Sequence, residues 1–181
     1  MINTYKLKLT GLQQEIIRLM FVKTGTQLNQ RQISKLLEVS QPAVMKALPE
    51  LEKQELIKIS QDKESKRWSV ELNRENHKVM QLKQIDNLRQ IYESGLADYL
   101  EEKLAGSTII LFGSYSRGED TITSDIDIAV IGRKEKELKI EKFENDLERK
   151  INVNFYETWD IHKNLKENLC NGIVLAGGVK L

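Results

Sequence analysis

The chain has 181 residues, of which 40% are hydrophobic, and its formal net charge is +1. No apolar run approaches the roughly 20 residues that a membrane-spanning helix needs, and no signal peptide is visible, so we expect a cytoplasmic protein without a membrane partner. Cys170 is the only cysteine, which excludes an internal disulfide and is typical of a reducing compartment. The length allows two small domains with ordinary cores.

Three helices are predicted in the N-terminal third. Thr10, Asn29 and Ser40 can each cap one of them, because their side-chain oxygens can accept hydrogen bonds from N–H groups of the first turn. Pro42 falls in the first turn of the third helix, where its missing N–H costs nothing. Pro49 stands later in the same helix and predicts a kink or an early end.

A β-hairpin is predicted next, with strands at residues 57–59 and 67–72 and a polar connection between them. Three helices with a tight turn before the last, followed by a charged hairpin, resemble a winged helix-turn-helix of the MarR-like kind. The run from Val39 to Leu48 carries most of this resemblance. In such domains the third helix lies in the major groove of DNA and the wing touches the backbone or the minor groove. The resemblance implies double-stranded DNA as a partner, contacted by Ser40, Gln41, Ala43, Val44 and Lys46 of the third helix and by Lys63, Lys66 and Arg67 of the wing.

The charge distribution agrees with this interpretation. Residues 1–73, the predicted winged-helix domain, hold 12 Lys/Arg and 8 Asp/Glu, a net charge of +4, whereas the remainder holds 16 and 19, a net charge of −3. A basic half is expected of a domain that binds nucleic acid. A winged helix that contacts proteins instead is the alternative.

Residues 74–104 are predicted to form a helical linker capped by Asn73. Apolar residues recur there at spacings of three and four, which places them in one stripe: Val79, Leu82, Ile85, Leu88, Tyr92, Leu96, Leu100 and Leu104. Gly95 leaves open whether this is one bent helix or two. The stripe can pack on the chain's own domains or form a dimer seam, and we expect a homodimer contact.

A buried strand is predicted at residues 108–112, and it ends at Gly113 and Ser114. Glycine lets a phosphate approach the backbone, and a helix beginning near Ser114 would direct N–H donors toward that phosphate. The second polar feature is Asp125-Ile126-Asp127, where alternation along a strand places both carboxylates on one face. Their Cα atoms would lie about 6.6 Å apart, a spacing that suits one shared metal ion. The pattern favours Mg²⁺ bound with a nucleoside triphosphate.

These residues resemble the nucleotidyltransferase superfamily that includes DNA polymerase beta, most closely its minimal nucleotidyltransferases. The matching pattern is Gly-Ser, then Arg-Gly-Glu, then Ser-Asp-x-Asp, and it covers roughly residues 105–160. The resemblance implies that Gly113 and Ser114 hold the triphosphate, that Arg117 lies close to the phosphates, and that Asp125 and Asp127 are catalytic and bind Mg²⁺ or Mn²⁺. The predicted fold class is α+β, with a small nucleotidyltransferase domain over residues 105–181 built on a mixed sheet.

The chain departs from that family at the third carboxylate of active members. The candidate strand, residues 151–156, offers Asn152 or Asn154 instead. An amide oxygen can coordinate Mg²⁺, but it carries no negative charge and cannot accept a proton. Glu157 is out of register with the asparagines and would need a bulge or a strand end to substitute.

Two functions therefore stay open. The first is a transcription regulator whose nucleotidyltransferase-like domain binds metal and nucleotide with weak or lost transfer activity. The second is an active enzyme that transfers a nucleoside monophosphate to a hydroxyl of a protein, a small molecule or a nucleic acid end. The resemblance implies a HEPN-type partner protein as one acceptor for such an enzyme.

Overall fold

The computed structural model describes residues 8–61, 63 and 67–179. The chain divides into two compact units, Met1–Val79 and Met80–Leu181. No helix within the described ranges is both long and apolar enough to cross a membrane.

The first unit begins with three helices: α1 (Gly11–Val22), α2 (Gln30–Leu36) and α3 (Gln41–Lys53). The caps predicted for these three helices are confirmed. Thr10 and Asn29 each form a capping box with the glutamine three residues later, and the Ser40 hydroxyl accepts from the Ala43 amide. These bonds satisfy N–H groups that a helix start otherwise leaves without partners.

Helix α3 continues past Pro49 and ends at Lys53, so it has no early end. Val44, Leu48 and Leu51 are buried to 1% exposure or less. This apolar face continues on both sides of the proline, and its burial holds the last turn in place. Strands β1 (Ile57–Gln61) and β2 (Trp68–Leu72) follow as the predicted antiparallel hairpin.

The predicted linker forms two helices, α4 (His77–Glu93) and α5 (Leu96–Lys103). They are separated at Gly95, whose φ of 77° is in the left-handed region that glycine tolerates. The prediction that Asn73 caps the helix is wrong. Its Nδ2 donates to the carbonyl of Glu55 at 2.9 Å, and Asn76 accepts instead from the Lys78 amide at 3.0 Å.

The second unit is organised around a four-stranded sheet in the order β5-β4-β3-β6. Its elements after α5 are β3 (Thr108–Phe112), α6 (Gly113–Ser116), β4 (Ile126–Ile131), α7 (Glu141–Leu147), β5 (Ile151–Tyr156), α8 (Lys163–Cys170) and β6 (Ile173–Ala176). Strands β4 and β5 are parallel, whereas β3 is antiparallel to both β4 and β6. The predicted mixed sheet and α+β class are confirmed.

Side chains alternate between the two faces of this sheet. Ile126, Ile128 and Val130 belong to one core cluster, together with residues of α5 and α7. Ala129 and Ile131 belong to the cluster on the opposite face, which includes Leu169 of α8. The isoleucines of β4 near the paired aspartates are therefore buried, as the alternation predicts.

Candidate nucleotide and DNA sites

The two predicted metal ligands lie at the start of β4. Asp125 comes directly before the strand and Asp127 is its second residue, and both side chains are half-buried. In the parallel ladder Asp127 is paired with Asn152 of β5. The amide nitrogen of Asn152 donates to Asp125 Oδ2 at 3.0 Å and to Asp127 Oδ1 at 3.3 Å. One point at this edge of the sheet is thus within reach of both carboxylates and of the Asn152 amide.

This geometry decides between the two candidate asparagines. Asn154 is paired with Ala129, further along β4, and lies in a groove with Arg133 and Glu157. Glu157 follows the end of β5, five residues beyond Asn152, which is about 16 Å along an extended strand. Glu157 therefore lies away from the paired aspartates, whereas Asn152 contacts both of them.

Gly113 lies against Asp127 for a steric reason. Its neighbour Phe112 is paired with Asp127 across the β3–β4 ladder, and the chain then turns with a φ of 76° at Gly113. A Cβ atom at this glycine would come within 2.6 Å of Asp127 Oδ2. The glycine therefore provides the space that the carboxylate fills, a role that the sequence pattern did not reveal.

Ser114 is half-buried in the short helix α6, and Arg117 is the C-cap residue of that helix. The Arg117 guanidinium is exposed and forms an ion pair with Glu119 at 2.7 Å. The Ser114 carbonyl accepts from the amide of Glu119 at 2.9 Å, which closes the turn after α6. Both predicted phosphate-contacting residues thus lie in the same turn as Gly113.

Sequence reasoning missed a buried polar cluster behind this turn. Lys83 of α4 donates to Asp120, and the Asn87 amide donates to the same carboxylate at 2.7 Å. Burial lowers the pKa of Lys83, although Asp120 opposes that shift, and burial likewise raises the pKa of Tyr115. The residues are too far apart in sequence for any local pattern to predict the contact.

One of the DNA contacts predicted for α3 is wrong. Val44 is fully buried in the core of the first unit and cannot contact bases. Ser40, Gln41 and Lys46 are exposed, and Ala43 is half-buried. Met45, which was not predicted, is 52% exposed beside them.

The wing contributes to a groove of about 510 Å³ at the N-terminal ends of α2 and α3. Its lining combines the predicted Gln41 and Arg67 with Arg31 and Trp68, which were not predicted. Trp68 is 49% exposed. The exposure of this aromatic side chain could not be predicted from the sequence alone. Lys63 is exposed in the turn between the strands. Lys66, the remaining predicted wing residue, lies outside the described residues.

Two family models match the chain. The MarR family matches residues 19–68, and the nucleotidyltransferase domain matches residues 93–175. The N-terminal segment thus matches the MarR family and the C-terminal segment a nucleotidyltransferase domain, as the sequence patterns predicted.

Several solved structures are also similar to this chain. The adhesin competence repressor AdcR of Streptococcus pyogenes is 23% identical over 55% of this chain and 71% of that one, with a TM-score of 0.41. The zinc-responsive MarR family member ZitR of Lactococcus lactis is 22% identical over 59% and 70%, with a TM-score of 0.41. The Staphylococcus aureus MepR–DNA complex is 20% identical over 54% and 79%, with a TM-score of 0.39. No match was found among curated proteins.

Proposed function

We propose that this protein is a DNA-binding transcription regulator whose nucleotidyltransferase domain binds a divalent metal with a nucleoside triphosphate and transfers nucleotide weakly or not at all. The observation that carries the second half of the proposal is the amide of Asn152. It lies within hydrogen-bond distance of Asp125 and Asp127, where an active site of this class needs a third carboxylate.

The first unit supports DNA binding through α3 and the wing. Gln41 and Lys46 are exposed on α3, while Arg31 and Arg67 line the groove at the base of the wing. Lysine and arginine neutralise phosphates, and amide side chains can read base edges in the major groove. The MarR family match over residues 19–68 supports the same role.

The second unit supports the binding of one Mg²⁺ or Mn²⁺ ion. The candidate donors are Asp125, Asp127 and the Asn152 amide, because the amide nitrogen lies 3.0 Å from Asp125 Oδ2 and 3.3 Å from Asp127 Oδ1. Among the described residues no three His, Cys, Asp or Glu side chains form a metal-binding group. Rotation of that amide by half a turn would offer its oxygen in place of its nitrogen. Two carboxylates and an amide oxygen are ligands that Mg²⁺ accepts. A bound ion would neutralise charge on the triphosphate.

The polypeptide would hold the triphosphate through the turn of α6. Gly113 keeps the backbone close to Asp127 without a side chain in between, Ser114 offers a hydroxyl and Arg117 a guanidinium. In this arrangement Asp125 and Asp127 would hold the metal ion, whose positive charge would draw the phosphates toward the turn. Catalysis by two metals relies on anionic ligands that hold a close pair of ions, and a neutral Asn152 reduces that charge. Transfer should therefore suffer more than binding.

A transfer assay tests this proposal. Wild type, Asp125→Asn, Asn152→Asp and the control Asn154→Asp are each incubated with α-labelled triphosphate, Mg²⁺ or Mn²⁺, and cell extract. We expect weak or absent labelling by wild type and an increase with Asn152→Asp alone. Strong labelling by wild type that is lost with Asp125→Asn would instead establish the active enzyme, and a single labelled protein would identify its acceptor.

Duplex binding is tested by fluorescence anisotropy at several salt concentrations. Each phosphate contact contributes about 0.9 to the slope of log affinity against log salt. Lys46→Glu and Arg67→Glu should lower the affinity and flatten that slope, whereas Lys163→Glu, an exposed lysine of α8, should do neither. Absence of duplex binding by wild type at low salt would refute the DNA-binding role and favour a winged helix that contacts proteins.

We also propose a homodimer that uses the outer face of α4. Ile85 and Tyr92 are 66% and 47% exposed, and their spacing of seven residues places them on the same side of the helix. The exposed part of the predicted stripe is smaller than expected, because four of its members are buried: Val79, Leu96, Leu100 and Leu104. Light scattering should give a dimer mass for wild type and a monomer mass for Ile85→Lys; a monomeric wild type would refute the dimer.

A further inference from the structure

One face of α4 contacts the backbone of the turn at residues 113–120. The side-chain amide of Asn87 donates to the Tyr115 carbonyl at 2.9 Å, and that of Gln84 donates to the Ser116 carbonyl at 2.9 Å. Gly118 lies against the helix itself, since a Cβ atom there would be 2.7 Å from Gln84 N and from the carbonyl oxygen of Met80. The contacting positions 80, 83, 84 and 87 are spaced by three and four, so they share one face of the helix.

A buried ion pair lies at the centre of this face. The side chains of Lys83 and Asp120 are 0% and 1% exposed, and they form a direct salt bridge. The Asn87 amide donates to the same carboxylate, and a guanidinium nitrogen of Arg149 is 3.7 Å from its other oxygen. Asp120 thereby fixes the end of the turn to α4 and to Arg149, two residues before β5.

Such a cluster is costly to bury. Taking two charges out of water costs several kcal/mol per ion, and well-packed apolar residues are often as stabilising as a buried pair. What the polar cluster provides is directional bonding to particular backbone atoms. Within the turn, the Ser116 hydroxyl donates to the Gly113 carbonyl at 2.9 Å, so the constraint extends to the glycine that adjoins Asp127.

We propose that Lys83, Gln84, Asn87 and Asp120 are positioning residues for the triphosphate. This cluster, which we name the α4 clamp, holds the turn of residues 113–120 so that Gly113 and Ser114 stay in place beside the paired aspartates. The proposal rests on the nucleotide binding proposed above. It assigns a role in that binding to residues of α4, which makes no direct contact with the metal ligands in the hydrogen bonds described.

Two variants of the 181-residue chain separate positioning from stability. Gln84→Ala removes the donor to Ser116 without changing any charge, and Gln90→Ala is its matched control, because Gln90 donates to Asp86 on α4 itself. The double variant Lys83→Met with Asp120→Asn removes the two charges of the Lys83–Asp120 pair at nearly constant volume and keeps the buried guanidinium of Arg149. Mg-ATP affinity is measured by titration calorimetry, and amide hydrogen exchange is measured by mass spectrometry on peptides that cover residues 113–120 of the nucleotide-free protein.

We expect faster exchange in this turn for Gln84→Ala and for the double variant, since exchange reports local opening. We expect Mg-ATP affinity to fall about tenfold in the double variant, which corresponds to about 1.4 kcal/mol, and less in Gln84→Ala. Gln90→Ala should change neither quantity.

Unchanged exchange in both variants would overturn the clamp, and faster exchange with unchanged Mg-ATP affinity would overturn its link to the nucleotide. If wild type binds no Mg-ATP, the proposed function fails and so does the positioning role for the triphosphate. The exchange data would then still show whether α4 holds the turn.

Discussion

Replacing Gly113 by alanine has two expected costs, one from the backbone conformation of the turn and one from the contact with Asp127. Comparison with a control glycine separates them. Alanine in the left-handed conformation costs about 1–2 kcal/mol. The new Cβ would also lie 2.6 Å from Asp127 Oδ2, so the carboxylate must rotate away, at a further cost of about 0.5–1.5 kcal/mol for an off-rotamer side chain. Gly106 is the matched control, because its φ is +87° and no atom lies within 4 Å of a Cβ placed there.

Urea unfolding followed by Trp159 fluorescence in a Trp68→Phe background reports on the second unit. Gly106→Ala should lower the free energy of unfolding by the backbone cost alone. Gly113→Ala should lower it by the backbone cost and the rotamer cost of Asp127 together. Mg-ATP at about 100 times its Kd should add about 2.7 kcal/mol to wild type and to Gly106→Ala. Gly113→Ala should lose most of that gain, since Asp127 is displaced. An equal Mg-ATP stabilisation in the two glycine variants would refute the assignment of Asp127 as a metal ligand.

Three further predictions follow from named contacts. Asn152→Asp should lower the melting temperature in EDTA, because a third carboxylate repels the other two, and should enlarge the Mg²⁺-induced rise, whereas Asn154→Asp should do neither. Val44→Ala should lower the free energy of unfolding in urea by about 2 kcal/mol, because it leaves a cavity. Met45→Ala should change that free energy by no more than about 0.5 kcal/mol and should weaken duplex binding in anisotropy. A larger loss of stability for Met45→Ala than for Val44→Ala would mean that the buried face of α3 is misassigned. Gly118→Ala should destabilise the second unit more than Gly132→Ala. Both glycines have a positive φ, but only at Gly132 is there open space around the Cβ position. Equal urea midpoints for the two variants would contradict the close packing of α4 against Gly118.

The sequence determined those features whose hydrogen bonds or packing involve near neighbours. Thr10, Asn29 and Ser40 cap helices through residues three positions later, so the signals are local and were predicted correctly. The alternation in β4 was likewise readable, because side chains of a strand point to opposite faces in turn. The family patterns of both domains lie in such local segments, and the matches to family models confirmed them.

Only the tertiary structure decided which distant residues meet. The pairing of Asp127 with Asn152 rather than Asn154 depends on the register of two parallel strands, and a shift of two residues would exchange them. Val44 lies on the core-facing side of α3 and is therefore not available to DNA, since burial depends on what packs against the helix. Lys83 and Asp120 are 37 residues apart, and no periodicity in either segment marks their contact. Contacts of this kind are set by the packing of the whole unit, because the free energy of burial depends on partners that the local sequence does not contain.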